Sequence, residues 1–292
     1  MTSWRLRIRP RSQWATPFRA DSLFGAICWR WSELFPETFV DMLASFHEGN
    51  PSFMLSDGFP GDLLPLPLHA AIPARERKAK PPLYISEASF RSLARGRGAV
   101  ESFLDGAICA SSRVQTAIDR ERGSAADGQL FEVDTEYLQG DISFLSVYIR
   151  SEQNLKEVAA CLRALGLAGF GKKSSTGLGA FDLLDGTERC EWLDNVSDAN
   201  AFVTLSHFVP AADDPIAGRW RVHVTFPKFH ANAVSNVFKG SILMLAPGSI
   251  FRASRPRSWY GSMIPMPRPE MPRALHYGLS FAVPMVWAPE VG

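Results

Sequence analysis

Apolar and basic positions alternate at the start of the chain. Trp4, Leu6 and Ile8 are separated by Arg5, Arg7 and Arg9. A period of two predicts a strand with one apolar and one basic face. A loop, PRSQWATPFRA, follows, and the period then changes. Leu23, Phe24, Ile27, Cys28, Trp31 and Leu34 recur at helical spacing up to Pro36, with Asp21 or Ser22 where a helix N-cap belongs. From about 50 to 110 proline and glycine are frequent and the basic stretch RERKAK (Arg75–Lys80) intervenes. That interval reads as an irregular insertion. From Arg113 to Leu138 two extended segments flank a polar tip at Asp127-Gly128, the pattern of a long β-hairpin.

Ile142 to Ile149 reads as a buried strand. Asn154 then opens a helix with Leu155, Val158, Ala159, Leu162 and Leu165 on one face, and Gly166 ends it. The glycine-rich loop GFGKKSSTGLGAF (Gly169–Phe181) follows, and Gly179–Leu184 reads as the next strand. Residues 1–184 therefore hold a β–α unit, a long insertion and a β–α–β unit. This predicts an α+β fold with a ferredoxin-like (RRM-type) sheet bearing helices on one side. Further on, Ala201–Val209, Arg219–Phe226, Ser241–Leu245, Ser249–Arg252 and Leu279–Trp287 read as strands, and 256–272 as a proline-punctuated loop. The division expected is an N-terminal domain over 1–190, with insertion and hairpin over about 50–140, and a β-rich C-terminal domain over 191–292. The two would be diverged halves of one ferredoxin-like design.

Composition narrows the class. With 292 residues, 46% hydrophobic and 21% charged, the chain can bury a sizeable core. Its apolar runs stop well short of the ~20 residues of a membrane span, and the N-terminus lacks the apolar block of a signal peptide. The four cysteines, Cys28, Cys109, Cys161 and Cys190, form no CxxC pair. A cytoplasmic protein with reduced cysteines is the simplest expectation. The histidines fit no HExxH or zinc pattern, so neither metal nor cofactor is expected. A net charge of +1 hides an uneven distribution. Arg5, Arg7, Arg9, Arg11, Arg19 and Arg30 face one acid, Asp21, in the first thirty residues, whereas Asp182, Asp185, Glu188, Glu191, Asp194 and Asp198 cluster against Arg189. Basic patches of this kind either bind an anionic polymer or are solvated faces.

The glycine-rich loop invites a phosphate. A Walker A loop needs GxxxxGK followed by Ser or Thr, but GLAGFGKK places Lys173 where the metal-binding hydroxyl belongs. The loop also leaves a helix C-terminus and enters a strand, so the helix dipole opposes an anion. Affinity would have to come from Lys172, Lys173, the hydroxyls of Ser174, Ser175 and Thr176, and backbone N–H groups brought close by Gly169, Gly171, Gly177 and Gly179. A polynucleotide laid over such a loop meets several phosphates at once, which suits it better than a single nucleotide. Trp14 and Phe18, flanked by arginine, are candidates to stack on bases.

GFGKKSSTGLGAF resembles the glycine-rich loop of the RAMP superfamily of CRISPR-associated RNA-binding proteins. WRLRIRP…TPFRADSLFGAICWRW, TAIDRERGSAADGQLFEVDTEYL, KGSILMLAPGSIF and YGLSFAVPM resemble the start, thumb hairpin and C-terminal strands of one branch. That branch is the subunit capping the crRNA 5′ handle in type III-A (Csm) effector complexes, the fourth Csm subunit. The resemblance departs at Ala180, where many members carry a basic residue. It implies a non-catalytic scaffold that holds the crRNA 5′ handle and docks against a large polymerase/cyclase-like subunit and a backbone RAMP subunit. It also implies an RNA path lined by Gly169 to Gly179, by Gln13, Trp14, Thr16, Phe18 and Arg19, and by Arg113, Arg120 and Arg122. The alternative is a metal-independent endoribonuclease of precursor crRNA, for which His47 is the nearest candidate by position. A surface histidine is the better reading of His47, and helix N-capping the better reading of Asp21.

Overall fold

The computed structural model describes residues 1–70, 83–98, 100, 102–119, 121–122, 124–229 and 237–288. The chain is a mixed α/β protein. β1 (Thr2–Pro10) is followed by α1 (Ala20–Leu34) and α2 (Pro36–His47), then β2 (Phe53–Pro60), β3 (Leu63–Pro65), β4 (Tyr84–Ser86) and α3 (Glu87–Ala94). The hairpin of β5 (Ile108–Asp119) and β6 (Ser124–Leu138) precedes β7 (Leu145–Ser151), α4 (Leu155–Ala168), β8 (Phe181–Leu183) and β9 (Glu188–Arg189). β2, β7, β1 and β8 form one sheet in that order, every pairing antiparallel, with β9 also on β1.

The C-terminal part contributes β10 (Ala201–Thr204), β11 (Gly218–Arg219), β12 (Val222–Thr225), β13 (Ile242–Leu245), β14 (Ile250–Arg252), β15 (Trp259–Gly261), β16 (Ile264–Pro265), β17 (Leu275–His276) and β18 (Leu279–Met285). A second sheet runs β11-β14-β10-β18-β15, and β12 pairs with β13. No α-helix occurs in this part among the described residues. β15 and β16 occupy part of the predicted 256–272 loop. No helix of the described residues is long and apolar enough to cross a membrane.

In the first sheet, β2 and β7 are buried on both faces. Leu145, Val147 and Ile149 of β7, with Phe53 and Leu55 of β2, pack against α1, α2 and α4. On the opposite face Met54, Phe59 and Tyr148 join Val203, Ile250, Phe281 and Val283 of the second sheet. Both strands are consequently buried almost without interruption, which is why neither alternates in sequence. The interval around β2, irregular by its proline and glycine content, instead supplies an edge strand of the main sheet, with prolines at its margins.

Other boundaries also move. Pro36 stops α1 and opens α2 at N1, where its missing N–H costs nothing. α4 continues past Gly166 to Ala168, and a Cβ on Gly166 would lie 2.3 Å from the Phe181 carbonyl oxygen. That glycine permits helix–strand approach and does not terminate the helix. The hairpin turns between Asp119 and Ser124, whereas Asp127 and Gly128 fall where the register shifts. RERKAK lies outside the described residues.

Asp21 does not cap α1. The N-cap is Arg19, without a side-chain cap bond; Asp57 of β2 reaches in and accepts from the Ala20 N–H at 2.9 Å.

The charge patches explain each other. Arg5 and Arg7 pair with Glu188, Arg5 also with Asp62 and Glu87, and Arg9 and Arg11 with Asp182. The antiparallel register of β1 with β8 and β9 sets the basic N-terminal run against the acidic segment. Arg5 is therefore neutralised within the fold, whereas Arg9 and Arg11 share one carboxylate and stay about half exposed.

Candidate nucleic-acid interface

The glycine-rich segment is a folded loop. Gly169, Gly171, Gly177 and Gly179 all take positive φ, and Lys173 does so at 64°. Ser174–Thr176 form a single 3₁₀ turn, closed by hydrogen bonds from the Thr176 and Leu178 N–H groups to the Lys173 carbonyl. This geometry needs residues without a Cβ penalty at its reversals.

The loop after β1 lies directly against it. Gly179 N–H donates to the Gln13 carbonyl at 2.8 Å, Lys172 N–H to Thr16 Oγ1 at 2.8 Å, and Ala180 N–H to Ser12 Oγ at 3.0 Å. The base of the hairpin joins from the other side. Trp14 and Glu136 exchange both backbone hydrogen bonds, Trp14 Nε1 donates to Glu136 Oε2 at 2.8 Å, and Thr135 Oγ1 donates to Gln13 Oε1 at 3.0 Å. Lys173 crosses to the hairpin, with Nζ 4.5 Å from the Phe131 ring centroid. Three segments far apart in sequence thus form one surface, along which Gly171, Lys172, Ser175, Thr176 and Gly177 are exposed.

Arg113 and Arg122 are exposed on the hairpin, and Arg120 lies outside the described residues. The stacking role expected of Trp14 and Phe18 is corrected. They are 2% and 5% exposed. Phe18 stacks on Phe170 at 4.8 Å and meets Trp14 and Phe181 edge-on. These rings hold the loops together and present no free face to a base.

Arg19 is fixed by a group that no motif in the sequence marks. Asp57 Oδ2 pairs with His207 Nδ1 at 2.6 Å, the His207 and His223 rings meet at 4.7 Å, and Arg19 Nη1 lies 2.6 Å from His223 Nε2. Because the guanidinium can only donate, His223 Nε2 accepts and its ring is neutral. Burial, then Arg19 and His207, push the His223 pKa down to about 4. Burial, aided by Lys239, pushes His276 down to about 3. Asp21, 3.9 Å from His276, is raised by burial first and by Asp57 second.

These shifts predict a pH dependence. A histidine whose folded pKa lies below its unfolded value of ~6.5 binds protons more readily unfolded. The stability it contributes is complete above about 6.5 and is lost as pH falls toward the folded value. Asp21 acts in the opposite sense, its ionisation opposing the fold as pH rises. The melting temperature should fall as pH is lowered from 6.5 to 4, and His223→Gln should flatten that decline. An unchanged decline in the variant would remove His223 as a cause.

His47 is exposed and donates from Nε2 to the Arg273 carbonyl at 3.0 Å, a tether between α2 and the segment before β17. Among the described residues no cluster of three or more His, Cys, Asp or Glu side chains is arranged to hold a metal ion.

No protein-family model matches the chain, and no curated protein matches it. Its fold is nonetheless that of solved structures over the whole length. A chain of a Csm1–Csm4 cassette in complex with pppApA superposes with a TM-score of 0.62 at 19% identity, covering 99% of this chain and 100% of that one. A cassette with AMPPNP gives 0.63 at 18% identity, with the same coverage. A chain of the Csm3–Csm4 subcomplex of the type III-A CRISPR–Cas interference complex gives 0.56 at 16%, again covering 99% and 100%. Csm4 is the component common to these assemblies.

Proposed function

We propose that this chain is a non-catalytic, RNA-binding subunit of a type III-A CRISPR–Cas (Csm) effector complex. In this reading it holds the 5′ handle of crRNA and docks to the large polymerase/cyclase-like subunit and the backbone RAMP subunit. The observation that carries it is the convergence of the glycine-rich loop, the loop after β1 and the hairpin, fastened by the Gln13, Trp14 and Thr16 contacts. The full-length likeness to chains of Csm assemblies supports the same reading. The strand order β2-β7-β1-β8, with helices in the connections, supports a ferredoxin-like N-terminal domain over 1–190, with β5 and β6 as its thumb. The part over 191–292, β-rich among the described residues, would be the second, more diverged half.

Backbone N–H groups and Lys172 and Lys173 would meet phosphates, and Arg113, Arg120 and Arg122 would flank the path. The test is RNA affinity as a function of salt, with a handle-containing RNA. Lys172→Ala with Lys173→Ala should weaken binding and reduce the salt slope by about 0.7 for each phosphate of a single strand that is no longer neutralised. An unchanged slope would mean that the lysines do not touch RNA. Catalysis is tested separately by incubating the chain with repeat RNA in EDTA. No cleavage is expected, and specific cleavage abolished by His47→Ala would overturn the non-catalytic reading.

A further inference from the structure

A second concave surface lies at the other end of β1. α3 ends in the turn Arg95-Gly96-Arg97, where Gly96 takes φ 68° and the Gly96 and Arg97 N–H groups close on Leu93 and Ser92. The turn points two arginines outward, both exposed. Arg91, one helical turn earlier, and Arg189 of β9 face the same space. Two adjoining open depressions of about 370 and 470 Å³ result, sharing Arg91 and Arg95, with Glu87 and Arg97 in the first and Arg189, Glu191, Trp192 and Asn195 in the second. Both volumes fall in the range of small-ligand sites, ~300–1,000 Å³.

The charge here is not neutralised as it is around Arg5. Arg91 pairs with Glu87, which also serves Arg5, and Arg189 pairs with Glu191. Arg95 and Arg97 have no carboxylate partner among the described residues. The C-terminal end of α3 contributes only about half a negative charge, so the cleft keeps a positive excess. Arg91 stacks 4.6 Å over the Trp192 ring, and both Arg91 Nε and Trp192 Nε1 are buried donors without a hydrogen-bond partner.

We propose that this cleft binds nucleotide phosphates, with Arg95, Arg97 and Arg189 meeting the anionic groups while the Arg91–Trp192 stack and the Asn195 amide face a base. The planar guanidinium fork suits phosphate. Two basins sharing Arg91 and Arg95 suit a ligand with successive anionic groups. An acidic peptide would use the arginines and leave the aromatic stack and the amide unengaged. The site is separate from the loop surface. Trp4 pairs with Arg189 and Pro10 with Phe181, six residues apart on β1, or roughly 20 Å at ~3.3 Å per residue.

The test uses the full chain carrying Lys172→Ala and Lys173→Ala, so that the loop surface contributes less to the signal and the change on adding the cleft variants is what is read. Binding of a fluorescein-labelled ten-nucleotide single-stranded RNA is measured by anisotropy. Adding Arg95→Ala and Arg97→Ala should weaken binding tenfold or more without changing the melting temperature, since both side chains are exposed. ATP and inorganic phosphate, as competitors, distinguish the source. Displacement only by RNA identifies a strand, whereas equal displacement by ATP identifies a free nucleotide. Unchanged affinity in the arginine variant would overturn the proposal. So would competition by polyglutamate as effective as that by unlabelled RNA, which would assign the cleft to an acidic protein surface.

Discussion

Arg150→Ala should destabilise the protein by roughly 3–5 kcal/mol, the usual effect of stranding a buried charge by removing its partner. At ~2–4 °C per kcal/mol for a chain of this general size, the melting temperature should fall by about 10 °C. Arg150 is 1% exposed and lies on β7, between the two sheets. Its Nε and Nη2 each lie 2.9 Å from Asp194 Oδ1. It also donates to the carbonyls of Ser258 and Ala282 and sits 4.3 Å over the Phe281 ring centroid. Burial works against the charge, and Asp194 offsets that effect. Truncation would leave the Asp194 carboxylate without its cationic partner, held by the Ser3 N–H and hydroxyl, and would take a donor from two carbonyls at the seam between the sheets. Thermal melts of Arg150→Ala, Asp194→Ala and the double variant separate the pair from its surroundings. The double variant should cost at least about 1 kcal/mol less than the sum of the singles, as expected for groups in contact. Additive losses would show that the two residues contribute independently.

Asp194 belongs to the acidic segment, whose partner no local pattern names. The alternation in β1 and the helical spacings of α1 and α4 are local, so the chain itself displays them. The ion pairs of Arg5, Arg7, Arg9 and Arg11 depend on the register of β1 with strands about 180 residues downstream, and nothing in the neighbouring residues encodes that register. β2 is hidden in the sequence because burial on both faces erases alternation, while Gly58 and Pro60 suggest a loop. Gly58 is needed for another reason, since a Cβ there would lie 2.9 Å from Phe18 Cβ. Phe18 looks exposed among arginines because its partners, Phe170 and Phe181, lie more than 150 residues downstream, and Trp14 because its hairpin partner Glu136 lies 122 residues downstream. The Asp57–His207–His223–Arg19 chain crosses four segments. The one signal for it in the sequence lies in the polar residues of β2, whose Asp57 interrupts a largely apolar strand.

The candidate interface rests on the backbone more than on side chains, and glycine substitutions should expose this. Gly179→Ala should reduce affinity for handle RNA tenfold or more. Gly179 takes φ 72°, and a Cβ would lie 2.1 Å from the Phe170 carbonyl oxygen and 2.9 Å from its nitrogen. Those atoms are backbone, so no rotamer relieves the clash. Its N–H is also the bond to Gln13 that fastens the loop to the segment after β1. Gly171→Ala should follow, because its Cβ would lie 2.3 Å from both Cβ and Oγ1 of Thr16. Thr16 would have to rotate away, breaking its bond to the Lys172 N–H. Gly177 is the control. It takes φ 90°, and a Cβ there would meet nothing within 4 Å, so alanine adds only the left-handed strain of about 1–2 kcal/mol. The expected order of lost affinity is Gly179, then Gly171, then Gly177, read from RNA titrations beside melting curves of the same three variants. Equal losses at all three positions would mean that loop flexibility, rather than the fastened backbone surface, governs binding.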